Sequence, residues 1–224
     1  MAWRDLEMAW TDLVERQRSC TRCALCSPSL IHAGSKPLFG RFNVWPKGVL
    51  FVFEAPNRGD TFDDNKGYLT YDCETDQTGC FAWRLMVEEL KLDPNFFQVT
   101  NSVLCLPAKR KGGFTVSVAQ RRLCSSLLCE QIRELDPVVV ASVGGDALKA
   151  TSIIEDHGYA KMSDTVARPG PVRWFGRLLF PLFHTSLQAR HGPCGRSEKD
   201  QRSDWRKLRQ ILLKEGVVFP GSES

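Results

Sequence analysis

The chain has 224 residues, a formal net charge of +4, 42% hydrophobic residues and 25% charged ones. These values exclude a disordered or a fibrous chain, and the length allows one generous domain with a sizeable core. No apolar run approaches the roughly 20 residues of a membrane helix, and the start carries early acids without an apolar signal region, so a cytoplasmic protein with no membrane partner is expected.

In chain order, residues 3 to 19 have the apolar spacing of an amphipathic helix, with Trp3, Leu6, Trp10 and Leu13 on one face. A cysteine-bearing segment follows to residue 46. The run Val49 to Phe53 reads as a buried parallel strand that ends in the polar turn from Glu54 to Asp60. An acidic loop covers 60–78, and Phe81, Leu85, Met86 and Leu90 give a helix over 79–91. A second strand is expected at 98–103, a helix at 117–135 and a third strand at 138–143. Gly144-Gly145-Asp146-Ala147 opens a short helix. The fourth strand, 178–183, delivers His184, and the last helix runs over 200–214 with a flexible tail from 216 to 224.

Strands alternating with helices predict one domain over 1–224, a three-layer α/β/α fold around a mostly parallel four-stranded sheet. Ligands of open α/β sheets bind beyond the carboxyl ends of the strands. Glu54, Asn101, Gly144 and His184 all fall there, which makes them a candidate site.

Nine cysteines, an odd number without an export signal, argue against a disulfide framework and leave thiols for metal. Cys20 and Cys23 have the spacing of a metal-binding pair. Cys105 and Cys124 are long-range candidates to complete a four-thiolate set, which either zinc or an iron–sulfur cluster accepts. Cys26 and Cys129 fit less well, and Cys73, Cys80 and Cys194 read as ordinary residues.

Taken together, the motifs resemble the uracil-DNA glycosylase superfamily, and within it the family 4 enzymes that carry a [4Fe–4S] cluster. Cys20-Thr-Arg-Cys23 is similar to the family's N-terminal cysteine pair, Phe53-Glu54-Ala55-Pro56-Asn57 to its first motif, and Thr100-Asn101 through Pro107 to its second. Cys124 sits where the fourth ligand would fall, and His184-Thr185-Ser186 is similar to the closing motif. Asn57, Leu104 and Thr185 stand where the family has glycine, lysine and proline. The segment Asn65 to Asp72 resembles a family 5 motif.

The resemblance implies a monomeric enzyme that hydrolyses the bond between uracil, or another deaminated base, and deoxyribose in single- or double-stranded DNA. It implies a [4Fe–4S] cluster held by Cys20, Cys23, Cys105 and Cys124, with zinc as the alternative. Asn101 would read the base edge and Tyr68 would stack on its face, while Ala55 and Asn57 would contact it through the backbone. His184 would steady the departing base anion, and Asp72 or Glu54 would activate water. Ser186, Leu187, Arg190 and His191 would meet DNA, Leu187 as a wedge. From Arg168 to Arg209 ten Lys/Arg face three acids, which suits phosphate binding or, equally, a solvated helix face. A non-catalytic, metal-stabilised DNA- or RNA-binding module is the alternative reading.

Overall fold

Strand residues that are apolar on both sides demand cover on both sides, and the chain supplies it with two sets of helices. The computed structural model describes residues 3–18, 20, 22, 44–45, 47–56, 74, 76–105, 109–110, 113–114, 116–192 and 195–219. Along these lie α1 (Trp3–Arg18), β1 (Val49–Phe53), α2 (Gln77–Glu88), a 3-10 turn (Pro94–Phe96), β2 (Val99–Asn101), β3 (Lys109–Arg110) and β4 (Gly113–Phe114). Then follow α3 (Val118–Leu135), β5 (Val139–Val143), α4 (Gly145–Ile154), α5 (Met162–Ala167), β6 (Val172–Trp174), β7 (Arg177–Leu182), α6 (Leu187–His191) and α7 (Glu198–Lys214).

The main sheet has the order β2-β1-β5-β7-β6, in which β2, β1, β5 and β7 are parallel and β6 is antiparallel to β7. The expected α/β fold is present, with five strands in place of four. The extra strand, β6, is three residues long and partly exposed, so it carries no continuous apolar run to read. β3 and β4 form a separate two-stranded hairpin within the basic, glycine-bearing stretch.

One sheet face presents Phe51, Val99, Ala141 and Phe180 to Phe81 and Leu85 of α2 and to Trp205 and Leu208 of α7. Phe51 stacks on the Trp205 ring at 5.3 Å, an aromatic contact within the favourable range. The other face presents Leu50, Val52, Val140 and Leu179 to Trp10 and Leu13 of α1, to Leu128 and Ile132 of α3, and to Leu148 of α4. Each strand therefore shares its alternate residues between two helical layers.

The α1–α3 seam is held by a buried polar chain. Thr100 Oγ1 donates to Gln131 Oε1 at 2.6 Å, Gln131 Nε2 donates to Gln17 Oε1 at 2.7 Å, and Gln17 Nε2 donates to the Leu127 carbonyl at 3.0 Å. Every amide in that chain has a partner, as burial requires.

Residues 216–219, expected to fray, do not. Val217 and Phe219 are buried, the Phe219 ring lies 5.5 Å from that of Trp45, and Trp45 Nε1 donates to the Val218 carbonyl. Apolar anchors past a glycine hold the segment to the core, and residues 220–224 lie outside the described residues. Among the described residues no helix is long and apolar enough to cross a membrane.

Candidate active site

The route of the chain through the sheet decides where a cleft opens. From β1 it passes to β2 on one side through α2, then returns past β1 to β5 through α3, and these two helices cover opposite faces. The direction reverses between β1 and β5, and beyond their carboxyl ends lies the natural crevice of an open α/β sheet. Glu54 follows β1, Gly144 and Asp146 follow β5, His184 follows β7, and Asn101 closes β2 in register with Phe53.

His184 is fixed from three directions. The Ser186 backbone N–H donates to its Nδ1 at 3.2 Å. Gln201 Nε2, from α7, donates to its carbonyl at 3.2 Å, and the next side chain, Thr185 Oγ1, donates to the Thr78 carbonyl at the head of α2 at 3.0 Å. The ring lies against Gly144, where an added Cβ would meet His184 Cδ2 at 3.0 Å. Gly144 also has φ +92°, a conformation that side chains avoid. Burial pushes the His184 pKa below its ordinary value, against the opposing pull of Asp146 and Asp76. A neutral ring that accepts at Nδ1 carries its proton on Nε2. The site therefore holds a neutral imidazole with an oriented N–H donor.

Glu54 is locked by its backbone, with its carbonyl accepting from the Ser102 hydroxyl at 2.7 Å and from the Val103 N–H at 3.0 Å. Burial raises the pKa of its carboxyl, and so do the charge and the hydrogen-bonding contact of Asp146. Arg121 and the Val116 backbone N–H pull the other way. Asp146 in turn pairs with Arg121, whose side chain is only 8% exposed, and with Lys149 Nζ at 3.2 Å.

Asp146, Arg121 and Asp76 were missed as site residues. Single charged residues on helices look solvated in a sequence. Yet an acid three places past a strand, after Gly-Gly at a helix start, stands at the strand-end edge, and that signal is present in the sequence. Asp76 caps α2 by accepting from the Thr78 N–H at 3.1 Å, and its carboxylate fills the space where a Gly79 side chain would stand.

Asn101 is buried at the end of β2. Ala55 packs its methyl against Val103, Val116 and Cys124. Ser186 caps α6, its hydroxyl accepting from the Ala189 N–H at 3.3 Å. Leu187 is 47% exposed directly beyond it, and His191, one turn on, is exposed too.

Arg190, expected to reach DNA, instead lies over the Phe81 ring at 4.2 Å with its side chain 11% exposed, and faces Glu198 at 3.6 Å. Asn57, Tyr68 and Asp72 lie outside the described residues.

The basic segment also changes meaning in three dimensions. Arg177, Arg190, Arg196, Arg202, Arg206 and Lys207 all sit in ion pairs, with Asp136, Glu198, Asp204, the Glu88–Glu89 pair, Glu89 and Asp204 respectively. The acids come partly from α2, more than 100 residues away in sequence. A charge count along the chain does not see them.

The cysteine candidates lie on adjoining elements. Gln17 and Arg22, on either side of Cys20, bond to Leu127 and Ser126 of α3, close to Cys124. Cys124 packs against Val103, two residues before Cys105. Cys20, Cys105, Cys124 and Cys129 carry reduced thiols. Among the described residues no three His, Cys, Asp or Glu side chains gather into a metal-holding group, and Cys23 lies outside them. The donor chemistry suits a soft metal or cluster, with Cys23 needed to test the set. Cys80, read as an ordinary residue, is disulfide-bonded. An odd cysteine total forbids pairing them all but not pairing two.

No family model matches this chain, and no curated protein matches it.

Proposed function

We propose that the chain is a monofunctional DNA glycosylase of the uracil-DNA glycosylase superfamily, in its iron–sulfur branch, that hydrolyses the N-glycosidic bond of uracil and other deaminated bases in base-excision repair. The observation that carries the reading is His184, which follows β7, is held by the Ser186 N–H at Nδ1 and by Gln201 at its carbonyl, and is kept toward the neutral form by burial. Breaking the bond leaves negative charge on the base, and a fixed donor at its O2 lowers that barrier without reorganising. A neutral imidazole suffices, because the donor gives a hydrogen bond rather than a proton.

Asn101 offers one amide that both donates and accepts, which matches O4 and N3–H of uracil. Leu187 would be the wedge into the stack that a flipped base leaves, a role its exposure beside Ser186 supports. Glu54 or Asp72 accepts the proton of the attacking water. A [4Fe–4S] cluster on Cys20, Cys23, Cys105 and Cys124 would cross-link α1, the β2 end and α3 as a structural element, with zinc the alternative.

DNA is the partner, the protein acts as a monomer, and the cytoplasm, at the nucleoid in a bacterium, is its compartment. The second reading, a non-catalytic nucleic-acid-binding module, is favoured by the burial of Glu54 and the charge of Asp146, which raise the Glu54 pKa and disfavour the ionised form a base needs. The discriminating experiment is base release by His184→Ala and Asn101→Ala. Both lose most excision while keeping DNA affinity if the reading holds, and unchanged excision in both rejects the site.

A further inference from the structure

Six of the ten cations between Arg168 and Arg209 are held by carboxylates of the fold. A different stretch is basic without such acids. From Asn101 to Cys129 there are five Lys/Arg and no Asp or Glu. Arg121 pairs with Asp146, but its neighbour Arg122 is exposed on α3. One turn further along that face the Ser126 hydroxyl accepts from the exposed Arg22 guanidinium at 2.8 Å. Among the described residues neither Arg22 nor Arg122 is in an ion pair.

The fold brings this stretch to the candidate site. As the chain leaves β2, the Ser102 hydroxyl and the Val103 N–H bond to the Glu54 carbonyl. As it enters α3, Val116 packs with Val103, Cys124 and Ala55. Residues 104–115 therefore leave and return at one point beside Glu54 and Ala55. They carry the β3–β4 hairpin, in which Lys109 and Arg110 form one strand and Arg110 is in register with Gly113. In the sheet order β2-β1-β5-β7, this hairpin follows β2 and α6 follows β7. The two elements thus flank the ends of β1 and β5 from opposite sides.

We propose that the β3–β4 hairpin, with Arg122 and Arg22 on the exposed face of α3, is the surface that grips the phosphate backbone of duplex DNA, across the strand ends from α6. The choice of DNA as partner rests on the glycosylase reading, while the surface needs no chemistry at His184. A guanidinium without a carboxylate beside it meets a phosphate with its full charge and breaks no ion pair to do so. Phosphate contacts position the duplex and carry no sequence information, so this grip is the same on uracil and thymine duplexes.

The test compares three double variants of the full chain, each lacking two positive charges. They are Lys109→Gln with Arg110→Gln, Arg22→Gln with Arg122→Gln, and Arg206→Gln with Lys207→Gln. Affinity for a labelled duplex is read by fluorescence anisotropy from about 50 to about 200 mM salt, and each phosphate contact contributes about 0.9 to the slope of log affinity on log salt. The hairpin pair and the α3 pair each lower the slope by about 1.8, so over that range they lose about 12-fold less affinity than the native protein. The α7 pair, whose cations are held by Glu89 and Asp204, keeps the native slope. Thermal unfolding confirms that each variant is folded, and if the hairpin pair is not, the α3 pair decides. Native slopes in both the hairpin and the α3 pairs overturn the proposal, as does an equal loss in the α7 pair or a native protein that binds duplex RNA and not DNA. Base release at saturating protein is retained in the hairpin and α3 pairs. A native protein that grips DNA through this surface yet releases no base refutes the glycosylase reading and leaves the surface standing.

Discussion

Gly144→Ala is the substitution whose effect follows most directly from the geometry. The residue has φ +92° and ψ 165°, a region that only glycine enters freely, at a cost of about 1–3 kcal/mol for another residue. The new Cβ would also meet His184 Cδ2 at 3.0 Å, Cβ at 3.2 Å and Cγ at 3.4 Å. His184 cannot simply retreat, because Gln201, Ser186 and the Thr185–Thr78 bond hold it. Crowding of this kind adds about 1–3 kcal/mol, for a total near 2–6 kcal/mol, or about 5–20 °C in Tm for a chain of this size. A reacting group displaced by ~1 Å loses about 100-fold in rate.

The control is Gly176→Ala in the β6–β7 turn, where φ is +69° but nothing lies within 4 Å of the added Cβ. It carries the backbone strain alone, about 1–2 kcal/mol. Thermal unfolding gives the stabilities, and base release at a temperature below both transitions gives the rates. If Gly144→Ala matches Gly176→Ala in both, the packing of His184 on Gly144 is not what positions the ring.

Gln201→Leu removes the amide that joins the carbonyls of His184 and Arg196, so stability falls by about 1–3 kcal/mol and base release falls with it, as urea unfolding and excision rates would register. Arg202→Gln weakens the α2–α7 clamp, and its effect is pH-dependent. A hydrogen bond from Arg202 holds the Glu88 pKa below 4.5, and at Glu89 hydrogen bonds from Arg206 and Arg202 outweigh an opposing burial effect to the same end. Depressed carboxyl pKa values give stability that is present above the unfolded value and lost as pH falls through the folded one. The variant's deficit, measured by urea unfolding, is therefore full at pH 7 and shrinks below pH 4.5; a pH-independent deficit contradicts the clamp. Cys124→Ala abolishes broad visible absorption if the thiols hold an iron–sulfur cluster, with iron and sulfide analysis as the check; a colourless native protein with stoichiometric zinc replaces the cluster with zinc.

Much of the fold was readable because its central strands are largely apolar runs: Val49 to Phe53 and Val139 to Val143 are buried throughout. The same rule put Glu54, Asn101, Gly144 and His184 at one edge, because parallel strands end together. What escaped depends on partners distant in sequence. Asp146 gains meaning only when Arg121 and Glu54 arrive beside it, and Arg202 stops being a surface cation only when α2 brings Glu88 and Glu89. Arg190 reads as a DNA contact until Phe81 appears beneath it. The tail hid its anchors because Val217-Val218-Phe219 is a run of only three apolar residues, and the Trp45 ring that meets Phe219 lies far away in sequence.

The central claim is base release itself. The purified protein is incubated with oligonucleotides that carry one uracil, and with matched ones that carry thymine or cytosine there, and alkali then cleaves any abasic site. The account predicts strand breaks that require both protein and uracil and that largely disappear with His184→Ala. Intact strands from folded protein that still binds the oligonucleotide would contradict it.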